Sequence, residues 1–400
     1  PPPASPGPSA GPAPAPPKPS REGLKPGAWR PGAFRPERDT ARGRREKELE
    51  DRSKYLKNFW YAAALSESVP AGGAPVPTTV MDTKYVLFRD EAGEVQALRD
   101  ACPHRGAPLS MGWGARHGGK QCVVCPYHGW AFDGSGVLRD LPANEGGESL
   151  PARPVVPAAP AEEKGGFVWL FVGDERLPAD ERPPVPYTPE LDDPEWSATY
   201  MEFEFDAPHI NVFENAIDVA HIHYLHSDSF GNDDAPKIRD MEVASTAYDV
   251  TFDFVTQNRS PSALWDAVQV DEVAITGRAM MPTSSYIDFS LGMGIRMITM
   301  VNTTPVSATK TINRVCLVRN FANQLGKLPD EFVRDNLRKI LSEDKVMVER
   351  LDPEGVRAEI NCRADLPQLE WRKLRQQYID LGYGVAPRGT APRGPGPEDP

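Results

Sequence analysis

The sequence predicts an α+β protein in which a small all-β domain precedes a larger domain made of an antiparallel sheet and helices. Short apolar runs between Gly- and Asp-containing turns predict β structure in the first half. Apolar/polar alternation predicts half-buried strands in the second half, and a proline-laden stretch separates the two. A chain of 400 residues also exceeds the usual size of one domain, so two folded domains with tails are expected.

Charge and hydrophobicity exclude two classes of partner. The formal net charge of −12 would repel a phosphate backbone, so nucleic acid is not expected as a partner. No stretch approaches the roughly 18 to 20 apolar residues that a transmembrane helix needs, so a soluble protein is expected. The five cysteines are too few and too unevenly spaced for a disulfide scaffold, which favours a reducing compartment.

Both ends of the chain are predicted to be disordered. Residues 1–54 begin with a Pro-, Ala- and Arg-rich segment that has few acidic residues and no hydrophobic periodicity. Such a leader suits an organelle transit segment, for example for the chloroplast, although a plain linker in a cytoplasmic protein would look similar. Residues 386–400 form a tail rich in Arg, Pro and Gly.

The first folded domain is predicted over residues 55–177. Residues 85–88 and 95–98 are mostly apolar and flank an Asp-Glu-Ala-Gly turn, which predicts a hairpin. A further strand is predicted at residues 167–172. The proline-rich residues 178–190 predict a linker, which places the domain boundary there.

The second domain is predicted over residues 191–385. Met201, Phe203 and Phe205 alternate with acidic residues, which indicates a strand with one buried face. Further strands are predicted at residues 248–254, 284–291, 295–301 and 311–318. Helices are predicted at residues 209–226 and 329–351.

Two short motifs in the first domain each combine a cysteine with a histidine. Cys102 and His104 lie in one turn, and Cys125 and His128 lie in another. Two facing turns could present these side chains to a two-iron cluster in which a pair of histidines replaces a pair of cysteines. A rival interpretation takes Cys122 and Cys125 as a CxxC zinc knuckle with Cys102 and a histidine, but it leaves His128 without a purpose.

Three polar side chains are predicted to share one face of the first helix of the second domain. Asn215, Asp218 and His221 follow one another at intervals of three residues, which places them on one side of a helix. His226 lies about 140° further round a regular helix, so both histidines can reach one ion only if the helix widens or unwinds. His223 competes for the role of ligand, but it would point almost opposite to His221.

A carboxylate falls within the apolar stripe of the last long helix. The stripe is predicted to comprise Val333, Leu337, Ile340, Met347 and Leu351. Asp344 occupies its gap, and a buried carboxylate needs a partner, a proton or a metal ion. Two histidines and one carboxylate form a facial triad for non-haem iron, so Asp344 is the predicted third ligand and a buried salt bridge is the alternative. Glu343, Glu349 and Asp352 lie off the stripe or at its margin and are poorer candidates.

Both motifs resemble those of one family. The segments CPHRGAPLS and CPYHGWAFDGSG resemble the cluster loops of Rieske domains, and the run from Asn215 to His226 resembles the iron site of Rieske-type non-haem iron oxygenases. The resemblance extends from about residue 55 to residue 383. It implies a [2Fe-2S] cluster on Cys102, His104, Cys125 and His128, and a mononuclear Fe(II) on His221, His226 and Asp344. One departure is the 20-residue separation of His104 from Cys125, with residues 114–120 as the apparent insertion.

The resemblance also implies a reaction. A ferredoxin or a flavin-type reductase would supply electrons, and O2 would be used to hydroxylate, demethylate or desaturate a small apolar cyclic or aromatic substrate. A tetrapyrrole is one candidate, because the organisation resembles the chlorophyllide a and pheophorbide a oxygenase branch. In relatives, an aspartate that matches Asp218 bridges the cluster of one subunit and the iron of its neighbour in a homotrimer. The alternative is an electron carrier or partner subunit without catalytic activity.

Overall fold

A computed structural model describes most of the chain between residues 47 and 389. The described residues are 47, 50–72, 74–144, 149–227, 229, 231–257, 272–321, 329–352 and 359–389. Most of the predicted leader and residues 390–400 of the predicted tail lie outside them.

The N-terminal half of the described chain consists of short strands. They are β1 Tyr55–Leu56, β2 Phe59–Leu65, β3 Val76–Val80, β4 Thr83–Arg89, β5 Val95–Arg99, β6 Trp113–His117, β7 Lys120–Val124, β8 Ala131–Asp133, β9 Leu138–Asp140, β10 Ala158–Ala159, β11 Ala161–Lys164 and β12 Phe167–Val172. The predicted hairpin is confirmed, because β4 and β5 pair antiparallel across the turn. The strand predicted at 167–172 is confirmed as β12. The suspected insertion forms the β6–β7 hairpin, whose turn residues Gly118 and Gly119 both have positive φ.

One antiparallel sheet dominates the C-terminal half. Its strands among the described residues are β13 Ser197–Phe205, β14 Arg239–Ser245, β15 Asp249–Gln257, β16 Glu272–Met280, β17 Ser284–Ser290, β18 Arg296–Ser307 and β19 Lys310–Arg319, and β20 Gly384–Val385 pairs separately with β1. The sheet order is β13-β19-β18-β17-β16-β15-β14. In β13, Met201 and Phe205 are buried while Glu202 and Glu204 are exposed, as the alternation predicts. The strands predicted in this half and the α+β class are confirmed.

The helix predicted over residues 209–226 is not continuous, because the structure has two short helices there, and the unwinding between His221 and the preceding helix that the two histidines require is confirmed. Helix α1 (His209–Ala216) ends at Ile217, and α2 (Ile222–Leu225) is a separate turn that His221 precedes and His226 follows. Between them, Asp218 Oδ1 accepts the backbone N–H groups of Ala220 (2.8 Å) and His221 (3.3 Å). A side chain that bonds to nearby backbone in this way competes with the helical hydrogen bonds.

The second predicted long helix is α3 (Asp330–Val348), and it confirms Val333 and Leu337 of the predicted apolar stripe and the burial of Asp344. Its buried residues are Val333, Leu337, Leu341, Asp344 and Val348. The prediction for Met347 and Leu351 is wrong, since they are 49% and 41% exposed. A strict heptad repeat drifts around a straight helix of 3.6 residues per turn, so the buried line moves by one position.

Helix α3 runs alongside β13 in the same direction. The Thr199 hydroxyl donates to Asp330 at the start of the helix (3.1 Å), and Lys345 near its end donates to the carbonyl of Glu204 (2.9 Å). Since β19 is antiparallel to β13, the end of α3 lies beside the start of β19. This direction places Asp344 at the Asn313 end of β19.

The disorder predicted up to residue 54 is wrong for the last residues of the leader. Residues 50–53, inside the predicted leader, form a helical turn. Arg375 of α4 (Leu366–Asp380) donates to the carbonyls of Asp51 (3.0 Å) and Arg52 (3.3 Å), and Asp51 is buried. These bonds fix the turn against the C-terminal helix.

Candidate metal centres

The two Cys/His turns share one backbone geometry. In each, the cysteine N–H donates to the carbonyl five residues on, which is Ala107 or Trp130 (2.8 Å in both). The cysteine carbonyl accepts the N–H of the glycine four residues on, and both glycines have φ of 74°. That positive φ favours glycine, so a tight turn can present cysteine and histidine together.

The two turns bring their side chains into one place. The His104 and His128 rings have centroids 4.5 Å apart, and Trp130 stacks on His104 at 4.6 Å. Cys102 and Cys125 are buried in the same hydrophobic cluster. His104 Nδ1 is buried and accepts or donates no hydrogen bond within the described part of the chain. An imidazole nitrogen in that state fits a metal ligand.

Cys122 lies away from this arrangement. It is fully buried in β7 and packs with Val124 and Ala131, whereas Cys125 packs with the cluster that includes Phe132. Successive strand residues face opposite sides of a sheet, so Cys122 and Val123 point apart. The zinc-knuckle interpretation is not supported by this placement.

The structure brings His221, His226 and Asp344 together. One ligand atom from each lies within 4.8 Å of the others, and this is the one such group found in the described residues. Asp344 Oδ1 is 3.1 Å from His226 Nε2 and 3.5 Å from His221 Nε2. The break between α1 and α2, and the end of α2 just before His226, allow both rings to face the same carboxylate.

A second carboxylate lies behind His226. The Nδ1–H of His226 donates to Glu343 Oε2 at 2.7 Å, and the Ser229 hydroxyl donates to Glu343 Oε1 at 2.9 Å. An ionised carboxylate only accepts, so the bond fixes the proton on Nδ1 and turns the Nε2 lone pair toward Asp344. Carboxylate–histidine pairs of this kind orient metal ligands.

Asp218 and Asn215 border the same site. Asp218 Oδ1 is 3.9 Å from His221 Nδ1, and the Asn215 amide donates to Asp344 Oδ1 at 3.3 Å. Although burial opposes it, the His221 imidazole holds the pKa of Asp344 well below its ordinary value. Burial also disfavours the imidazolium, but Asp218 and Asp344 raise the pKa of His221 to about 9. The site is therefore one where an ionised carboxylate faces two imidazoles and a cation is stabilised.

His223 and His209 point elsewhere. His223 is buried, and its Nε2 pairs with the Thr256 hydroxyl at 2.8 Å. His209 packs against the Tyr55 ring at 5.4 Å. Neither joins the group of His221, His226 and Asp344.

A cavity of about 350 Å³ opens on the group of His221, His226 and Asp344. Its walls are α1 and α2, α3, and the face of the sheet formed by β15 and β17–β19. Most lining side chains are apolar, such as Phe289, Val315 and Leu341. Its volume is within the range of ligand-binding pockets.

Family models match both halves of the chain. Residues 59–156 match the Rieske [2Fe-2S] domain, and residues 205–381 match the vanillate O-demethylase oxygenase C-terminal domain. The chain belongs to the Rieske-type non-haem iron oxygenases. Both Cys/His turns lie inside the first match, and the three residues around Asp344 lie inside the second.

Curated proteins similar to this Rieske-type chain come from an alga, a plant and bacteria. Chlorophyllide a oxygenase, chloroplastic, of Chlamydomonas reinhardtii is 33% identical over 243 residues, which are 59% of this chain and 33% of that protein. The oxygenase component of dicamba O-demethylase of Stenotrophomonas maltophilia is 35% identical over 172 residues, which are 43% of this chain and 48% of that protein. The chain thus spans about half or less of the length of these relatives.

A solved structure shares the fold. Crystalline dicamba monooxygenase bound to 3,6-dichlorosalicylic acid superposes with a TM-score of 0.71 at 22% identity. The match covers 82% of this chain and 99% of that one. Among the described residues, no helix is both long and apolar enough to cross a membrane.

Sequence reasoning missed the partners that surround the predicted ligands. Glu343 lies off the apolar stripe, and the sequence ranks it low for that reason, yet it holds His226. Its position directly before Asp344 is the only local signal. No sequence pattern identifies Ser229 or the residues of the cavity floor, because only the folded chain brings them next to the ligand group.

Proposed function

We propose that the protein is an oxygenase that uses O2 and external electrons to hydroxylate, demethylate or desaturate an apolar cyclic or aromatic substrate. The observation that carries the proposal is the opening of His221, His226 and Asp344 onto an apolar cavity. An electron carrier needs neither a second ligand set nor a cavity beside it. No feature of the described residues favours the carrier over the enzyme.

The chain's own groups fit both metal centres. Cys102, Cys125, His104 and His128 would hold the [2Fe-2S] cluster, since two thiolates and two imidazoles are the Rieske donor set. His221, His226 and Asp344 would hold a mononuclear iron as a facial triad. When bound, the cluster supplies single electrons and the iron supplies the site of oxygen chemistry.

The protein's part in the reaction is binding and orientation. Glu343 holds the proton of His226 on Nδ1, and the Asn215 amide holds Asp344 Oδ1 from the opposite helix. The apolar cavity excludes water and strengthens electrostatic interactions inside it. Asp218, close to His221 and half-exposed, is proposed to bridge to a cluster histidine of a neighbouring subunit in a homotrimer.

The proposed electron donor is a ferredoxin or a flavin-type reductase. Dicamba O-demethylase and vanillate O-demethylase are each named as an oxygenase component or subunit, which supports a separate donor protein. The five cysteines are all free, which fits a reducing compartment. Chlorophyllide a oxygenases of Chlamydomonas and Arabidopsis are chloroplastic, and the chloroplast is the proposed compartment.

Oxygen uptake tests the proposal. The purified holoprotein is supplied with a ferredoxin, its reductase and NADPH, and uptake is screened across methoxybenzoates, larger fused-ring compounds and tetrapyrroles. We expect at least one substrate to raise uptake and, by mass, to gain oxygen, lose a methyl group or lose two hydrogen atoms. The matched control is Asp344→Asn, in which the cluster should still be reduced and product should be absent. Electron transfer to an external acceptor at equal rates in both proteins, without product from any substrate, would favour the carrier.

A further inference from the structure

The cavity is long, and its two ends differ in chemistry. On β19, Asn313, Val315, Leu317 and Arg319 all line it. The six residue-to-residue steps of strand from Asn313 to Arg319 correspond to about 20 Å. Along α3, the lining extends from Phe332 to Asp344, which corresponds to about 18 Å of helix. The length of the cavity wall along β19 therefore agrees with its length along α3.

The ligand group and Arg319 lie at opposite ends. Asp344 lies near the end of α3, beside the start of β19, whereas Arg319 ends β19 beside the start of α3. Two hydrogen bonds between α3 and β13 fix the direction of the helix. Thr199 donates to Asp330 at the start of α3, and Lys345 near its end donates to the carbonyl of Glu204.

The middle of the cavity is apolar. The lining residues of β18, which pair with those of β19, are Met297, Thr299 and Val301. Ile287 and Phe289 of β17 continue the same floor. A substrate that lies along this floor is held by apolar contact over most of its length.

Arg319 is a cation on this apolar floor. It is 3% exposed, and its Nη1 is 3.5 Å from the Thr199 hydroxyl. Burial lowers the pKa of its guanidinium, and the charge of Asp330 opposes that shift. A buried guanidinium has five N–H donors in a planar fork that suits a carboxylate. Arg319 is therefore held in place by its neighbours and also forms part of the cavity wall.

We propose that the cavity takes an elongated apolar acid of more than one ring. Its anionic group lies at Arg319, and the carbon to be oxidised lies beside His221, His226 and Asp344. The inference rests on the oxygenase function proposed above and adds the size and charge of the substrate. A single-ring acid cannot reach both ends of a cavity of this length, so it would lose either the apolar contacts or the guanidinium.

Equilibrium binding tests the inference without turnover. Binding to the holoprotein is measured under anaerobic conditions without reductant. The probes are 4′-methoxystilbene-4-carboxylate, its carboxamide and the one-ring 4-methoxybenzoate. We expect the two-ring acid to bind about 10- to 100-fold more tightly than its amide, as for a charge-assisted hydrogen bond. Equal affinity of acid and amide, or equal affinity of the one-ring and two-ring acids, would overturn the inference.

Two variants assign the preference to Arg319. Arg319→Gln should abolish the difference between acid and amide, and Arg319→Lys should retain part of it. Arg334→Gln is the matched control. It removes a positive charge near the start of α3, where Arg319 also lies, but Arg334 does not line the cavity. The Nε of Arg334 donates to the Tyr200 carbonyl. If Arg334→Gln lowers the preference as much as Arg319→Gln, general charge explains the effect and the inference is overturned. Should Arg319→Gln fail to fold, the acid/amide comparison on the unaltered protein still decides.

The inference and the proposed function fail in different ways. Tight, Arg319-dependent binding of the two-ring acid without oxygen uptake would support the binding site and contradict the reaction. Turnover of one-ring acids at rates that Arg319→Gln leaves unchanged would support the reaction and overturn the inference.

Discussion

Glu343 should set the affinity of the histidine–carboxylate group for iron. Its Oε2 accepts the Nδ1–H of His226 at 2.7 Å, which is the length of a charge-assisted hydrogen bond. His226 is 2% exposed, so no solvent molecule can replace that acceptor without rearrangement. Glu343→Leu removes the acceptor and leaves a buried Nδ1–H, which favours the other tautomer, with the proton on Nε2. That tautomer has no lone pair to offer beside Asp344.

The expected loss follows from the measured importance of such partners. Removing a residue that orients a metal ligand costs about 10- to 100-fold in metal affinity, or about 1.4 to 2.7 kcal/mol. Glu343→Leu should lose metal affinity by an amount at the upper end of this range. Glu343→Gln should lose metal affinity by an amount at the lower end of the range, because the glutamine amide oxygen can still accept the Nδ1–H of His226.

The assay is Fe(II) or Co(II) binding by protein that has its cluster but has been stripped of the mononuclear metal. The matched control is Glu349→Gln, which removes the same charge just after the end of the same helix. Glu349 accepts the backbone N–H of Asp206 at 2.7 Å, away from the ligand group. Unchanged affinity in Glu343→Leu, or an equal loss in Glu349→Gln, would refute the reasoning.

Three further predictions address the other residues around the two centres. Cys125→Ser should remove the Rieske signal from the visible spectrum, while Cys122→Ser should keep it because Cys122 packs on the other side of β7; loss of the signal in both would contradict this. Asp218→Ala should leave both metals bound by elemental analysis and abolish product formation, and a fully active variant would exclude the bridging role. Burial lowers the pKa of His209 to about 3, so the folded protein keeps it neutral while the unfolded chain binds a proton below about pH 6.5. Its contribution to stability is complete above that pH and is lost as the pH falls toward 3, at about 1.4 kcal/mol per unit. His209→Gln should flatten the pH dependence of urea unfolding between pH 6.5 and 4.5 by that amount, and parallel curves would contradict the assignment.

Local patterns predicted the strands and the ligand candidates well because they depend on near neighbours. The alternation in β13 follows from one face of the sheet being buried, and the turn glycines after Cys102 and Cys125 follow from backbone geometry alone. The position of Asp344 in an apolar stripe identifies it as a candidate ligand, because a carboxylate is costly to bury without a partner.

What the sequence did not reveal depends on contacts between distant segments. The spacing of His221 and His226 predicts that the helix unwinds, but not where it does so. The break follows Ile217, where the Asp218 side chain accepts backbone N–H groups that a continuous helix would use. Glu343 becomes important only because α2 lies against α3. Arg319 becomes part of the cavity wall only through the pairing of β19 with its neighbours.

The central claim is that one chain holds a two-iron cluster and a separate mononuclear iron in two independent sites. Iron per chain, measured together with the visible and electron paramagnetic resonance spectra, tests it directly. We expect about three irons in the unaltered protein, about two with a full Rieske signal in Asp344→Asn, and about one without that signal in Cys125→Ser. Zinc in place of iron, or an Asp344→Asn protein that keeps all its iron, would contradict the account.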